Sequence, residues 1–174
     1  MKINNKDKNI VLIGFMGSGK TSVGKRLSLV LKREFIDTDD FIEKREGMTI
    51  NEIFKEKGEE EFRKIERELY KRFSTPKKKI IATGGGVIKN PANIANLKKG
   101  GVIVYLKSSP EKIAQNLKFD NTRPILQVDD KEAKIRELLA QREPFYNKYA
   151  EITIDVSNYD IDRTVDKIIE LAKI

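Results

Sequence analysis

With 174 residues, 39% of them hydrophobic and 36% charged, the chain can bury a substantial core as a soluble globular protein. It contains neither cysteine nor histidine, which excludes a disulfide framework and a zinc–thiolate site and leaves acid–base chemistry to carboxylates, lysine, tyrosine or the substrate itself. The net charge of +8 suits small polyanionic substrates, and no apolar run reaches the length of a membrane span.

The opening MKINNKDKNI has no signal-peptide apolar region and reads as a polar lead-in. Together with the missing cysteines it points to a cytoplasmic protein with no membrane partner. NIVLIGF (9–15) predicts a first strand, followed by a glycine-rich turn and a helix over KTSVGKRLSLVLKRE (20–34). EFIDTDD (34–40) predicts a short second strand ending in acids. Helical stretches follow from about Phe41 to Phe73, broken near Gly47 and Gly58. KIIATGGG (79–86) reads as the third strand, Pro91 to Leu97 as a helix, and GVIVYLKSS (101–109) as the fourth strand. Pro110 opens a helix at its favoured first-turn position. After the polar stretch KFDNTRPILQVDD (118–130) come a helix from about Asp130 to Tyr146, a fifth strand at AEITIDVS (150–157) and a closing amphipathic helix over 160–174. Strands alternating with helices imply parallel pairing with right-handed crossovers, hence an α/β fold in three layers, α/β/α, around a five-stranded parallel sheet. The sequence shows no repeat, low-complexity tract or long linker, so one domain spanning 1–174 is the simplest organisation.

GFMGSGKT, Gly14 to Thr21, matches the phosphate-loop pattern G-x-x-x-x-G-K-[ST] between the first strand and the first helix, the context that pattern requires. N–H groups at a helix start lack partners in the chain and point at an anion, which the helix dipole also favours. Gly17, Ser18, Gly19, Lys20, Thr21 and Ser22 are therefore the candidate ATP-binding residues. Lys20 would reach the β- and γ-phosphates, and the Thr21 hydroxyl would ligate Mg²⁺. The bland alternative is a structural glycine turn. In a parallel sheet ligands gather at the carboxyl ends of the strands, so DTDD (37–40) and TGGG (83–86) belong beside this loop. Three successive glycines would let backbone N–H groups approach a phosphate or carboxylate directly, although a tight strand-to-helix turn would also use glycine. A β-carbon at Gly85 is expected to obstruct the site before it harms the fold.

Taken together, these residues resemble the shikimate kinase family over nearly the whole chain. LIGFMGSGKTSVGKRL, FIDTDDFIE, GMTINEIFKEKGEEEFRKIE, ATGGGVI, TRPIL and QREPFYNKYA are each similar to a segment of that family. The resemblance implies a phosphate-loop kinase of the nucleoside-monophosphate-kinase type, with small substrate-binding helices at about 38–73 and a lid at about 117–130. It also implies ATP-dependent phosphorylation of the 3-hydroxyl of shikimate, a step toward chorismate and the aromatic amino acids. ATP would be the co-substrate, Mg²⁺ the cofactor, and the protein a monomer without a nucleic-acid partner. By position, Asp39 matches the aspartate that holds shikimate hydroxyls, and Asp37 the one that orients the magnesium shell through water. Arg63 and Arg142 match the carboxylate-binding arginines. Gly84, Gly85 and Gly86 match the triplet whose middle N–H faces substrate and γ-phosphate. Arg123 matches the lid arginine that closes on ATP, which makes Lys20, Asp39 and Arg123 the catalytic candidates.

Chemistry supports these roles without deciding them. A planar carboxylate is best read by guanidinium forks, yet on sequence alone an ordinary surface arginine is the alternative at Arg63, Arg142 and Arg123. Pro144 marks a kink or helix boundary beyond Arg142, and Pro124 disfavours helix at Arg123. The strand period puts Asp37 and Asp39 on one face, while a helix-capping cluster with Asp39 or Asp40 as the cap is the alternative. The chain departs from the family at IAQNLKFDNTRPIL. Gln115 and Asn116 stand where many members carry an arginine, leaving Lys118 as a substitute, and the adenine edge is expected near Ser157 to Asp160. Two rivals remain: another small kinase of this fold, acting on gluconate or a nucleotide, and a basic phosphate-loop module that binds nucleotide or nucleic acid without transfer. Against nucleic acid, the densest basic run is only PKKKI (76–80), and elsewhere lysines alternate with acids.

Overall fold

Near-continuous apolar runs become strands here because both of their faces are covered. The computed structural model describes residues 4–120 and 124–174. Strands β1 (Asn9–Ile13), β2 (Phe35–Asp37), β3 (Ile80–Ala82), β4 (Gly101–Lys107) and β5 (Ile152–Asp155) form one parallel sheet in the order β2-β3-β1-β4-β5. The helices are α1 (Lys20–Leu31), α2 (Thr38–Glu46), α3 (Ile50–Arg72), α4 (Pro91–Gly100), α5 (Pro110–Asn116), α6 (Lys131–Tyr149) and α7 (Ile161–Ala172). No helix among the described residues is long and apolar enough to cross a membrane.

Alternate residues of β1 build the three layers. Ile10 and Leu12 join Val23 and Leu27 of α1 and Val165 and Ile168 of α7 in one buried cluster. Val11 and Ile13 join Ile65 and Leu69 of α3 and Ile94 and Leu97 of α4 in the other. Each such side chain contributes roughly 1.5–3 kcal/mol of burial. The polar start of β1 is also buried: Asn9 donates to the Phe73 and Thr75 carbonyls and accepts from the N–H groups of Lys77 and Lys79, which satisfies an amide that would otherwise destabilise the strand. A third cluster of Phe15, Ile113, Leu117, Leu126, Ile135, Leu138 and Leu139 ties α5 and α6 to the loop after β1.

The register levels the strand ends. Ala82 pairs with Leu12 on one side and with Asp37 on the other, so the segments after β1, β2 and β3 emerge at one edge. The expected order of elements is present, but three expectations change. β2 stops at Asp37, because the Asp37 carboxylate caps α2 by accepting the Asp39 and Asp40 N–H groups. The two acids therefore do not share a strand face, and the cap is Asp37 rather than Asp39 or Asp40. Gly47 ends α2 in the left-handed region and Gly58 breaks the helical geometry of α3, both as expected. α6 runs on through Pro144 to Tyr149, so this proline is not a boundary; Tyr146, fully buried beyond it, holds the extra turn against the sheet.

Candidate active site

The loop after β1 turns back on itself to start α1. Gly19 caps that helix with φ 91°, and a β-carbon there would meet nothing within 4 Å. Its glycine is needed for conformation, since other residues rarely adopt left-handed backbone. No side chain caps α1, so its first N–H groups keep their affinity for an anion. Lys20 is nearly buried, and its ammonium donates to the Gly14 and Phe15 carbonyls at 2.7 and 2.9 Å. One residue on, the Thr21 hydroxyl donates to Asp37 Oδ2 at 2.8 Å, while Asp37 Oδ1 holds the start of α2. Two hard oxygens thus meet beside the phosphate loop. Among the described residues no group of three or more acidic side chains could cage a metal. That combination fits Mg²⁺, which prefers one or two protein oxygens together with water and phosphate to a dedicated cage.

A cavity of about 430 Å³ lies on the other side of the loop, between the glycine triplet and helices α2, α3 and α6. Met16, Ile50, Phe54 and Phe62 form its apolar wall, and Asp39, Arg63, Glu66 and Arg142 its charged one. Asp39 sits in the first turn of α2, where the helix dipole suits a carboxylate. Arg63 is held by Glu66 at 2.6 Å, lies over the Phe62 ring, and turns its Nη2 to Glu59 at 3.5 Å. Arg142 lies over the Phe15 ring. Arg63 Nε and Arg142 Nη1 are buried and have no hydrogen-bond partner among the described residues. Two guanidinium groups with donors to spare, lining one cavity, suit a carboxylate.

The glycine triplet is explained by space and not by conformation, since none of the three has left-handed backbone. A β-carbon on Gly84 would come within 3.0 Å of Asp39 Oδ1, and one on Gly86 within 2.8 Å of Arg63 Nη1. At Gly85 the nearest atom, Arg142 Nη1, is 3.4 Å away, so the two outer glycines are the tight positions and the expectation for Gly85 weakens. Each glycine lies against a different functional side chain.

A second cavity, of about 880 Å³, opens beyond Gly17, Ser18 and Gly19 and is lined by Ser22, Arg26, Lys112, Asn116, Val156, Tyr159 and Asp160. It reaches the 157–160 region expected for the adenine edge. Asn116, where an arginine was expected, donates to the Gly17 carbonyl at 2.8 Å and braces the loop. Lys118 is exposed, lies over the Phe119 ring and does not line this cavity, whose cations are Arg26 and Lys112.

A family model of shikimate kinase matches residues 16–173. The chain belongs to the shikimate kinase family. A shikimate kinase from Caldanaerobacter subterraneus is 51% identical over 162 residues, which cover 93% of this chain and 94% of the relative. The structure of a shikimate kinase from Acinetobacter baumannii in complex with shikimate superposes with a TM-score of 0.89 at 40% identity, covering 96% of this chain and 93% of that one. A shikimate kinase structure from Aquifex aeolicus gives a TM-score of 0.81 at 35% identity, over 95% and 96% of the two chains.

For a shikimate kinase family member, the sequence-predicted residues fall into two adjoining sets. Gly17, Ser18, Gly19, Lys20, Thr21 and Ser22 share the phosphate loop with Asp37, and Asp39, Arg63, Gly84, Gly85, Gly86 and Arg142 share the smaller cavity. Arg123 lies outside the described residues. One residue was missed, and a second was read without a role. Glu66 is buried at 1% exposure, and its carboxyl is pushed above its ordinary range by burial, with Arg63 pulling it back. Its signal was a charged residue in register with Phe62, Ile65 and Leu69 on the core face of α3. Tyr146, part of QREPFYNKYA but given no role there, lies one turn beyond Arg142 and donates to the Gly85 carbonyl at 2.7 Å.

Proposed function

We propose that the protein transfers the terminal phosphoryl group of ATP to the 3-hydroxyl of shikimate, giving shikimate 3-phosphate and ADP. The observation that carries this reading is the single cavity joining Asp39 to two guanidinium groups beside the phosphate loop. Such a constellation matches a small hydroxylated carboxylate, and a gluconate or nucleotide kinase does not need the glycine triplet with it. The loop N–H groups and Lys20 hold the transferring phosphate and its neighbour. Arg63 and Arg142 hold the carboxylate and so fix the ring. Asp39 accepts from its hydroxyls and aims one oxygen at the phosphorus. Thr21, and Asp37 by way of water, would hold Mg²⁺, which would supply neutralising charge to the phosphates. Arg123, assigned from the family resemblance, would complete the nucleotide site from the lid. We assign α2 and α3 to substrate binding and about 117–130 to the lid, within one domain, and take the protein to be a cytoplasmic monomer without nucleic acid.

The test is ADP release with and without shikimate, run beside gluconate and nucleoside monophosphates in Mg²⁺. ADP that appears only with shikimate supports the reading; equal ADP with every acceptor sinks it. Salt separates the remaining rival, because nucleic-acid binding weakens steeply as salt is added.

The clamp makes its own prediction. Arg63→Ala and Arg142→Ala are each expected to weaken shikimate binding by ~1.5–3 kcal/mol, about ten- to a hundred-fold, with ATP binding near that of the parent. Titration calorimetry with each substrate separates these outcomes, and normal shikimate affinity in both variants would return the arginines to the surface class. Gly86→Ala approaches the same clamp from the other side. The obstruction is the far end of a flexible side chain, and the backbone is ordinary, with φ −88°. Melting within a few degrees of the parent is therefore expected, with shikimate KM raised on the order of ten-fold through the displaced guanidinium. A large Tm loss with unchanged KM would make Gly86 a packing glycine.

A further inference from the structure

All three carbonyls of the glycine triplet accept hydrogen bonds from the protein. The turn itself holds two of them: the Val87 N–H donates to the Gly84 carbonyl at 3.1 Å, and the Lys89 N–H to the Gly86 carbonyl at 3.0 Å. The middle carbonyl, of Gly85, is held from a distant helix by the Tyr146 hydroxyl at 2.7 Å. The peptide is trans and planar, so its carbonyl and the N–H of Gly86 point in opposite directions. Glycine accepts either sign of φ at little cost, which leaves this peptide as the one that can turn over if the hydroxyl is removed.

We propose that Tyr146 is a positioning residue for phosphoryl transfer: by holding the Gly85 carbonyl against α6, it keeps the Gly85–Gly86 peptide oriented with its N–H away from α6, on the side of the cavity where Asp39 and Arg63 stand. The inference rests on the shikimate-phosphorylating reading above. Tyr146 is built to be immovable. It is fully buried, and its ring stacks on Tyr105 with centroids 5.0 Å apart. Burial pushes its hydroxyl up to about 12, against the pull of the adjacent Arg142 guanidinium, so it remains a donor through the physiological range. Arg142 and Tyr146 are one turn apart on α6 and both reach Gly85. One helix face thereby sets both a carboxylate-binding cation and the backbone donors beside it.

The experiment is Tyr146→Phe, which keeps the ring and its stack and deletes only the hydroxyl. The readouts are kcat, KM for both substrates, ATP affinity by titration, and Tm. A donor misaligned in the transition state lowers kcat, so a fall on the order of ten-fold or more is expected, with ATP affinity and Tm near those of the parent. Placing 4-aminophenylalanine at position 146 restores an N–H donor on the same ring and is expected to recover part of that loss. If the parent turns over shikimate and Tyr146→Phe matches its kcat and KM, the inference alone fails. A fall in kcat, ATP affinity and Tm together, or a loss that the amine does not reverse, would make Tyr146 a packing residue. A parent inactive with shikimate would overturn the underlying reading and the inference with it.

Discussion

Lys20→Met is expected to lower kcat by at least about 10²–10³-fold, the range typical of losing one preorganised donor to developing charge, while the protein still folds. The side chain is only 9% exposed, and two loop carbonyls hold its ammonium at the mouth of the loop. In the proposed reaction this ammonium would meet the charge spread over the transferring phosphoryl oxygens, where little covalent chemistry remains for the protein to do. Methionine fills nearly the same volume with an unbranched stem, so no cavity opens. The fold loses charge-assisted bonds worth roughly 1.5–3 kcal/mol. At about 2–4 °C per kcal/mol for a chain of this size, Tm drops by several degrees and no further. Turnover at saturating ATP and shikimate, measured beside the melting curve, decides the matter. A variant that kept most of its turnover would remove Lys20 from the phosphate site.

The phosphate loop was legible because everything it needs is local: a strand end, glycines at fixed spacing and a helix start lie within a few residues. The sheet was legible because buried strands are short apolar runs between helical patterns. The acids after β2 were misread for an equally local reason. A strand period was extended through DTDD, yet the preference of Asp37 for capping starts the helix one residue later and turns Asp39 toward Gly84. The candidate substrate cavity was not derivable from residue chemistry, because Arg63, Gly86 and Arg142 meet only through the packing of α3 and α6 on the triplet. Family resemblance supplied that convergence, and periodicity alone would have left both arginines on the surface. Glu66 shows what a physical reading can still find: a carboxylate on the core face of a helix needs a partner, and Arg63 is three residues away. Tyr146 fell inside the predicted helix, yet nothing local shows that its hydroxyl meets the Gly85 carbonyl, because the two are brought together only by the packing of α6 on the triplet.

Asp39→Asn is expected to lower kcat by on the order of 10²-fold or more, with ATP affinity near the parent's and some loss of shikimate affinity. The carboxylate stands at the start of α2, close enough to Gly84 that a β-carbon there would touch it, and it lines the cavity shared with both arginines. Phosphoryl transfer passes through a loose transition state, so aiming the acceptor oxygen matters more than removing its proton early. A carboxylate accepts from two hydroxyls at once and can take up the proton as the new bond forms. Asparagine keeps the shape and one acceptor but loses the charge and the basicity. Asp37→Asn is the informative contrast. Its remaining oxygen can still cap α2, so the fold should hold, whereas an amide nitrogen cannot accept the Thr21 hydroxyl that Asp37 Oδ2 accepts at 2.8 Å. Its expected defect is therefore a raised Mg²⁺ requirement, partly restored by excess metal, because its proposed role lies outside the metal's directly bound ligands. Measuring kcat, shikimate KM and Mg²⁺ dependence for both variants side by side separates the two acids. An active Asp39→Asn beside a dead Asp37→Asn would reverse the division of labour, and full activity in both would reduce the DTDD segment to a helix cap.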